Sequence, residues 1–269
     1  MDRIERVLIL LPPSETKTAP TTGDPVNLAE LSWPQLTAAR ERALKALVKV
    51  SGQRNAMTVL GVGSSLEQEV LRNQNLSSAP TAPALEVYNG VLYDALSRNS
   101  FTPAQRATAE QSIVIMSALW GALRPTDRIP AYRLSGSTAL RGLGKSGGLK
   151  MSTYWKPHLA EVLGGEAGEQ LIVDCRSSTY ASAFDAPKQN TVTVKVVQPV
   201  HGRRKVVSHN AKHTRGELAR HLIGYEAQGA TVRTAEDLRA VAGQRWTVEL
   251  AEPSAKKAGE LTVVLPEQG

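Results

Sequence analysis

Residues 117–134, SALWGALRPTDRIPAYRL, set Arg124, Arg128 and Arg133 beside Asp127, Tyr132 and two prolines, directly after an apolar run. Guanidinium groups hold phosphate or carboxylate oxygens through paired N–H donors, and a nearby carboxylate can orient them or take a proton. The apolar approach at 113–116 is β-branched and reads as a buried strand. Gly121 and Pro125 then interrupt regular structure, so Arg124, Asp127 and Arg133 are expected at the mouth of the core, as an anion site.

Three further groups repeat this pattern of polar residues after a strand. Ser14 and Lys17 lie in the proline-bearing loop LLPPSETKT, Asp174, Ser177 and Tyr180 follow the run LIV, and Ser208, Lys212 and Arg215 follow the alternating segment TVTVKVV and its return strand. Open α/β sheets bind ligands in the crevice where strand ends meet loops. One shared pocket is therefore expected, suited to a phosphate-bearing or nucleobase-bearing ligand. Were the pocket an enzyme's, Asp174 would be base or cation-stabilising carboxylate and Lys212 acid or anion clamp. Ser177 and Tyr180 would orient the ligand, and Arg124 and Arg215 would hold its phosphate. A structural ion pair such as Arg133 with Asp174 would account for part of the same pattern.

The charge is unevenly spread. Between residues 195 and 221 there are seven Lys or Arg, at 195, 203, 204, 205, 212, 215 and 220, against the single acid Glu217. Such a stretch is either a solvated basic face or a surface for nucleic acid or phosphate. At about 100° per residue, a helix over 212–225 buries Leu218, Ala219, Leu222 and Ile223 on one arc, with Lys212 and Arg215 on that arc in the first turn. Cations there oppose the macrodipole, and a bound anion would relieve the conflict.

Other motifs carry less. Gly144, Lys145 and Ser146 end like a phosphate-binding loop, but Ala139 stands where its first glycine belongs and no strand leads in, so a flexible loop is expected. Ser14-x-x-Lys17 lacks the helix and partner motifs of penicillin-recognising enzymes. His209 and His213 have no companion ligands, and neither metal nor cofactor is expected.

The elements that must position these residues alternate. Strands are expected at 5–11, 112–117 and 171–175, with a β-hairpin at 191–200 and 203–209 closed around His201 and Gly202. Helices are expected at 33–50, 65–73, 103–110 (capped by Thr102), 152–163, 212–225 and 235–241, then strands at 246–250 and 260–265. The fold class is α/β of mixed α+β character: one compact domain over 1–269 with a mixed sheet surrounded by helices. With 269 residues, 41% of them hydrophobic, the chain is long and apolar enough for a large core. No run of about 18 apolar residues and no signal peptide is evident, so cytoplasmic residence without membrane contact is expected. The lone Cys175 excludes an internal disulfide and reads as a core residue.

These blocks, in this order, resemble the YaaA family of peroxide-stress proteins, formerly a domain of unknown function. The resemblance rests on LILLPPSETKT at 8–18, YNGVLYDAL at 88–96, the SALWGALRPTDRIPAYRL segment, Asp174 with Ser177 and Tyr180, and SHNAKHTRG at 208–216. It implies a YaaA-like fold with a basic cleft that binds DNA and a helix-hairpin-helix-like element; a monomer is expected. Gly224 and Gly229 are not spaced as that element requires, so contact through the basic surface is expected instead. The functional expectation is a nucleic-acid-binding protein associated with peroxide protection. The alternative is a hydrolase or lyase acting on a nucleotide or nucleoside in the same pocket.

Overall fold

The computed structural model describes residues 6–144, 147–200 and 203–267. Its centre is a mixed sheet built on β1 (Leu8–Leu11), whose four residues are all buried, as in a strand covered on both faces. The other strands are β2 (Ile113–Ser117), β3 (Gly121–Leu123), β4 (Ile172–Asp174), β5 (Thr191–Val200), β6 (Arg203–Val206), β7 (Thr247–Ala251) and β8 (Gly259–Val264). Among the described residues the order across the sheet is β7-β8-β5-β4-β1-β2-β3, with β6 paired to β5. Strands β2, β1, β4, β5 and β8 run parallel, in registers such as Ile9 opposite Ile113, Leu10 opposite Asp174 and Asp174 opposite Thr193. Their carboxyl ends therefore share one edge.

Helices pack around this sheet: α1 (Thr37–Ser51), α2 (Val91–Leu96), α3 (Pro103–Ser112), α4 (Met151–Ala167), α5 (Ser208–Glu226) and α6 (Ala235–Gly243). The architecture is the expected α/β fold. Thr102 begins α3 as foreseen, within a reciprocal capping box with Gln105 and with Pro103 in the first turn. Among the described residues, no helix is long and apolar enough to cross a membrane.

Two departures matter for the site. The return strand of the hairpin ends at Val206, and α5 begins at Ser208, four residues before the expected start. Lys212 and Arg215 thus lie beyond its first turn, and the expected clash with the macrodipole is absent, because that effect fades within one turn. The buried arc is as expected, with Leu218, Ala219, Leu222 and Ile223 all enclosed. The second departure is β3. It pairs antiparallel with β2, Ser117 opposite Gly121 and Ile115 opposite Leu123, and so carries the chain back to the other edge before Arg124 is reached. Gly121 permits the reversal: its φ is +79°, and a Cβ would stand 2.8 Å from the Trp155 ring. The hairpin turn at His201 and Gly202 and the Lys145–Ser146 pair lie outside the described residues.

Candidate functional site

At the carboxyl edge of the parallel strands is a cavity of about 300 Å³. It is walled by the loop after β1 (Pro12, Pro13, Ser14, Glu15, Thr16), the entry to α2 (Asn89 to Tyr93), the turn after β4 (Cys175, Ser177, Tyr180), and Lys212 and Arg215 of α5. Five of the residues expected to share a pocket meet here: Ser14, Ser177, Tyr180, Lys212 and Arg215.

Each is placed by its element. Ser14 folds the loop on itself, its Oγ donating to the Thr16 carbonyl at 2.6 Å and accepting from the Asn89 amide at 3.1 Å. Tyr93 of α2 holds the same loop through a 2.8 Å bond to the Pro12 carbonyl. Ser177 precedes the one-turn helix Ser178–Ala181, exposed and with no capping bond from its side chain. Tyr180 is buried, its hydroxyl accepting from the Gly136 amide at 3.1 Å, and burial raises its pKa. Arg215 donates from Nε and Nη2 to the Val194 carbonyl at 3.1 and 2.6 Å, which orients its guanidinium across β5. Lys212 is exposed on the flank of the cavity. Ser208 starts α5, and its side chain lies outside the described residues.

Lys17 stands behind this wall. Its Nζ donates to the Ser14 carbonyl at 2.7 Å and lies 4.2 Å from the centre of the Tyr132 ring. Burial lowers its pKa to about 7, with Glu15 acting in the opposite sense. Beneath it the hydroxyls of Tyr88, Tyr132 and Ser117 form a buried chain with links of 2.9 and 2.7 Å.

The remaining expected residues are placed elsewhere. Arg124 sits at the opposite edge, donating to the carbonyls of Gln111 and Ile113, pairing with Glu166 and stacking on Trp33. Asp127 is buried near it, accepting from the Ser32 amide and hydroxyl and from the Arg124 amide, so it closes a turn. The reversal at β3 is the cause in both cases. Arg133 pairs with Glu15 and Glu69 at 3.3 and 3.5 Å, not with Asp174. Asp174 is bound bidentately by Arg176 at 2.8 and 2.7 Å, with both side chains nearly enclosed, so the carboxylate is engaged behind the cavity and does not line it. Arg176, Glu15, Asn89 and Tyr93 were missed by sequence reasoning. Arg176 could have been found, since it lies two residues beyond Asp174 and an extended chain returns it to the same side.

Four of the seven cations of the basic stretch, Lys195, Arg204, Arg215 and Arg220, are engaged within the protein. Lys195 pairs with Glu260, and Arg204 pairs bidentately with Glu249. Arg220 caps the carbonyls of Leu96, Ser97 and Ser100 and stacks on Phe101. Lys212 remains without a described partner at the cavity. Cys175 is fully buried, its pKa pushed up to about 12 by desolvation, in keeping with a core thiol.

Residues 7–251 match a family model described as peroxide stress protein YaaA. The chain belongs to the YaaA family. It is 43% identical to a UPF0246 protein of Streptomyces coelicolor over 220 residues, covering 81% of this chain and 83% of that one. It is likewise 43% identical to a UPF0246 protein of Corynebacterium efficiens over 246 residues, covering 91% and 96% of the two chains. One from Corynebacterium glutamicum is 40% identical over 258 residues and is covered in full, as is 96% of this chain. The YaaA match spans every wall of the strand-end cavity, from Pro12 to Arg215.

Proposed function

We propose that this chain is a nucleic-acid-binding protein of the peroxide-stress response, and that it holds a nucleotide unit of the bound strand in the strand-end cavity. Lys212 and Arg215 take the phosphate, Ser177 contributes a hydroxyl, and the apolar wall around Val91 and Leu92 takes the base or sugar. The observation that carries this reading is the convergence of two cations from α5 on one cavity, of which Lys212 has no described hydrogen bond or ion pair. A cavity of about 300 Å³ is at the lower end for small-molecule sites, which suits one nucleotide and not a duplex groove. Phosphate contact makes the binding weakly sequence-specific and steeply dependent on salt.

Salt-titrated binding of fluorescent single-stranded and duplex DNA, with and without competing nucleotides, tests this. Affinity should fall as salt rises, and Lys212→Gln or Arg215→Gln should weaken it. A flat salt response, or indifference to both substitutions, would sink the reading.

One observation favours a second reading, an enzyme acting on a nucleotide or nucleoside: the exposed Ser177 hydroxyl beside the cavity cations resembles a substrate-orienting group. With Asp174 committed to Arg176, Glu15 is the carboxylate that lines the cavity and Lys212 the ammonium beside it, and these two would move a proton. Incubation with nucleotides and nucleosides followed by product analysis decides it, and an unchanged substrate panel would remove this reading.

A further inference from the structure

A second cavity of about 340 Å³ lies on the other side of Glu15, walled by Arg133, Ser135, Ser137, Thr138 and the 59–62 turn. Glu15 borders both spaces. Tyr180 joins them too: its ring borders the first, while its hydroxyl accepts from Gly136, between the serines of the second. The two are neighbouring compartments divided by the loop at 14–17.

That loop has a pinned backbone and a movable carboxylate. The Glu15 carbonyl accepts from Arg133 Nη1 at 3.2 Å and from Lys17 Nζ at 3.4 Å, and the Ser14 carbonyl accepts from Lys17 at 2.7 Å. The Glu15 side chain, by contrast, is 54% exposed and reaches Arg133 Nη2 at 3.3 Å, while Arg133 itself is 13% exposed. A half-exposed ion pair at this separation is weak, because water screens it and side-chain entropy opposes it. The carboxylate can therefore swing out without unfolding the loop. The guanidinium stays, held by Glu69 at 3.5 Å and facing hydroxyl-bearing residues.

We propose that the Arg133 cavity is a second anion subsite for the same ligand, with Glu15 as the counter-ion that the ligand's next phosphate displaces. This rests on the nucleotide reading of the first cavity and narrows it: the ligand is a single strand with at least two phosphates. Serine hydroxyls and one guanidinium offer donors to phosphate oxygens.

The test compares two probes on the intact chain. Adenosine 5′-monophosphate can fill one subsite, and a fluorescent single-stranded DNA of about ten nucleotides can span both. Ser137→Asp, at an exposed position, should lower DNA affinity about tenfold and leave the mononucleotide within about twofold. Glu15→Gln should raise DNA affinity, and Arg133→Gln should reduce the DNA salt slope by about 0.7, the share of one phosphate on a single strand. If Arg133→Gln fails to fold, the other two variants decide. DNA affinity unmoved by Ser137→Asp and Glu15→Gln, yet weakened by Lys212→Gln, would overturn the second subsite and leave the first standing. Binding of neither probe, or indifference to Lys212→Gln, would overturn both.

Discussion

Gly216 of α5 crosses Leu92 of α2 so closely that a Cβ on the glycine would stand 2.1 Å from the Leu92 carbonyl oxygen and 2.9 Å from the Ala95 Cβ. This contact seats α5 against the wall of the cavity one residue after Arg215. Gly216→Ala would gain about 1 kcal/mol of helix propensity, but a backbone oxygen at that distance cannot yield without moving a helix. Overpacking of this kind costs about 1–3 kcal/mol. We expect a net loss of stability in urea denaturation together with weaker DNA binding, because α5 carries both cations. Equal or greater stability would show that the two helices part readily.

Asp174 and Arg176 form an ion pair whose side chains are 7% and 2% exposed. Asp174→Asn leaves a buried guanidinium without its counter-charge, though the Phe184 carbonyl still accepts from it at 2.9 Å. Breaking one partner of such a pair costs about 3–5 kcal/mol, and the surviving acceptor points to the lower end. Asp174→Leu with Arg176→Met should recover part of the loss. Urea denaturation of the single and double variants measures both, and a stable Asp174→Asn would contradict a structural role.

Lys17 makes stability depend on pH in a definite direction. Its folded pKa of about 7 lies below the ordinary 10.5 because of burial, with Glu15 opposing. Between these values the unfolded chain binds a proton that the folded chain does not, so this contribution rises as pH rises from about 7. Cys175 acts oppositely: its raised pKa is stabilising below the unfolded thiol's pKa, and that stabilisation fades as pH passes through it. Comparing wild type with Lys17→Met in urea from pH 7 to 9 isolates the lysine. The variant's stability should rise less with pH, and parallel curves would show that Lys17 keeps its proton in the fold.

Burial also governs the thiol. With Cys175 enclosed and its pKa pushed to about 12, alkylation by iodoacetamide at pH 8 should be slow in the folded chain and rapid in denaturant, since only the thiolate reacts. Prompt labelling of the native protein, or a sulfenic acid formed with dilute peroxide, would make it a sensor.

The sequence by itself determined the alternation of elements and the composition of the site's walls. LILL and IVIMS are apolar without interruption, as strands covered on both faces must be. The Thr102–Pro103 start of α3 and the buried arc of α5 follow from capping chemistry and helical period. Because parallel strands place their carboxyl ends on one edge, a shared pocket could be read from strand order, but of the described residues expected in it only Ser14, Ser177, Tyr180, Lys212 and Arg215 line the strand-end cavity.

Only the tertiary structure decided which charges face that pocket. Strand β3 turns back against β2 and takes Arg124 and Asp127 to the far edge, a reversal that depends on Gly121 fitting beneath Trp155, a residue more than thirty positions later. Ion-pair choice is likewise spatial. Asp174 took Arg176 and Arg133 took Glu15 and Glu69, because Coulomb attraction falls with distance and burial sharpens it. Residue types and strand order name the candidates at a sheet edge, and a local partner such as Arg176 for Asp174 lies within reach of the sequence, whereas the partners of Arg124 and Arg133 are set by packing between segments remote in the chain.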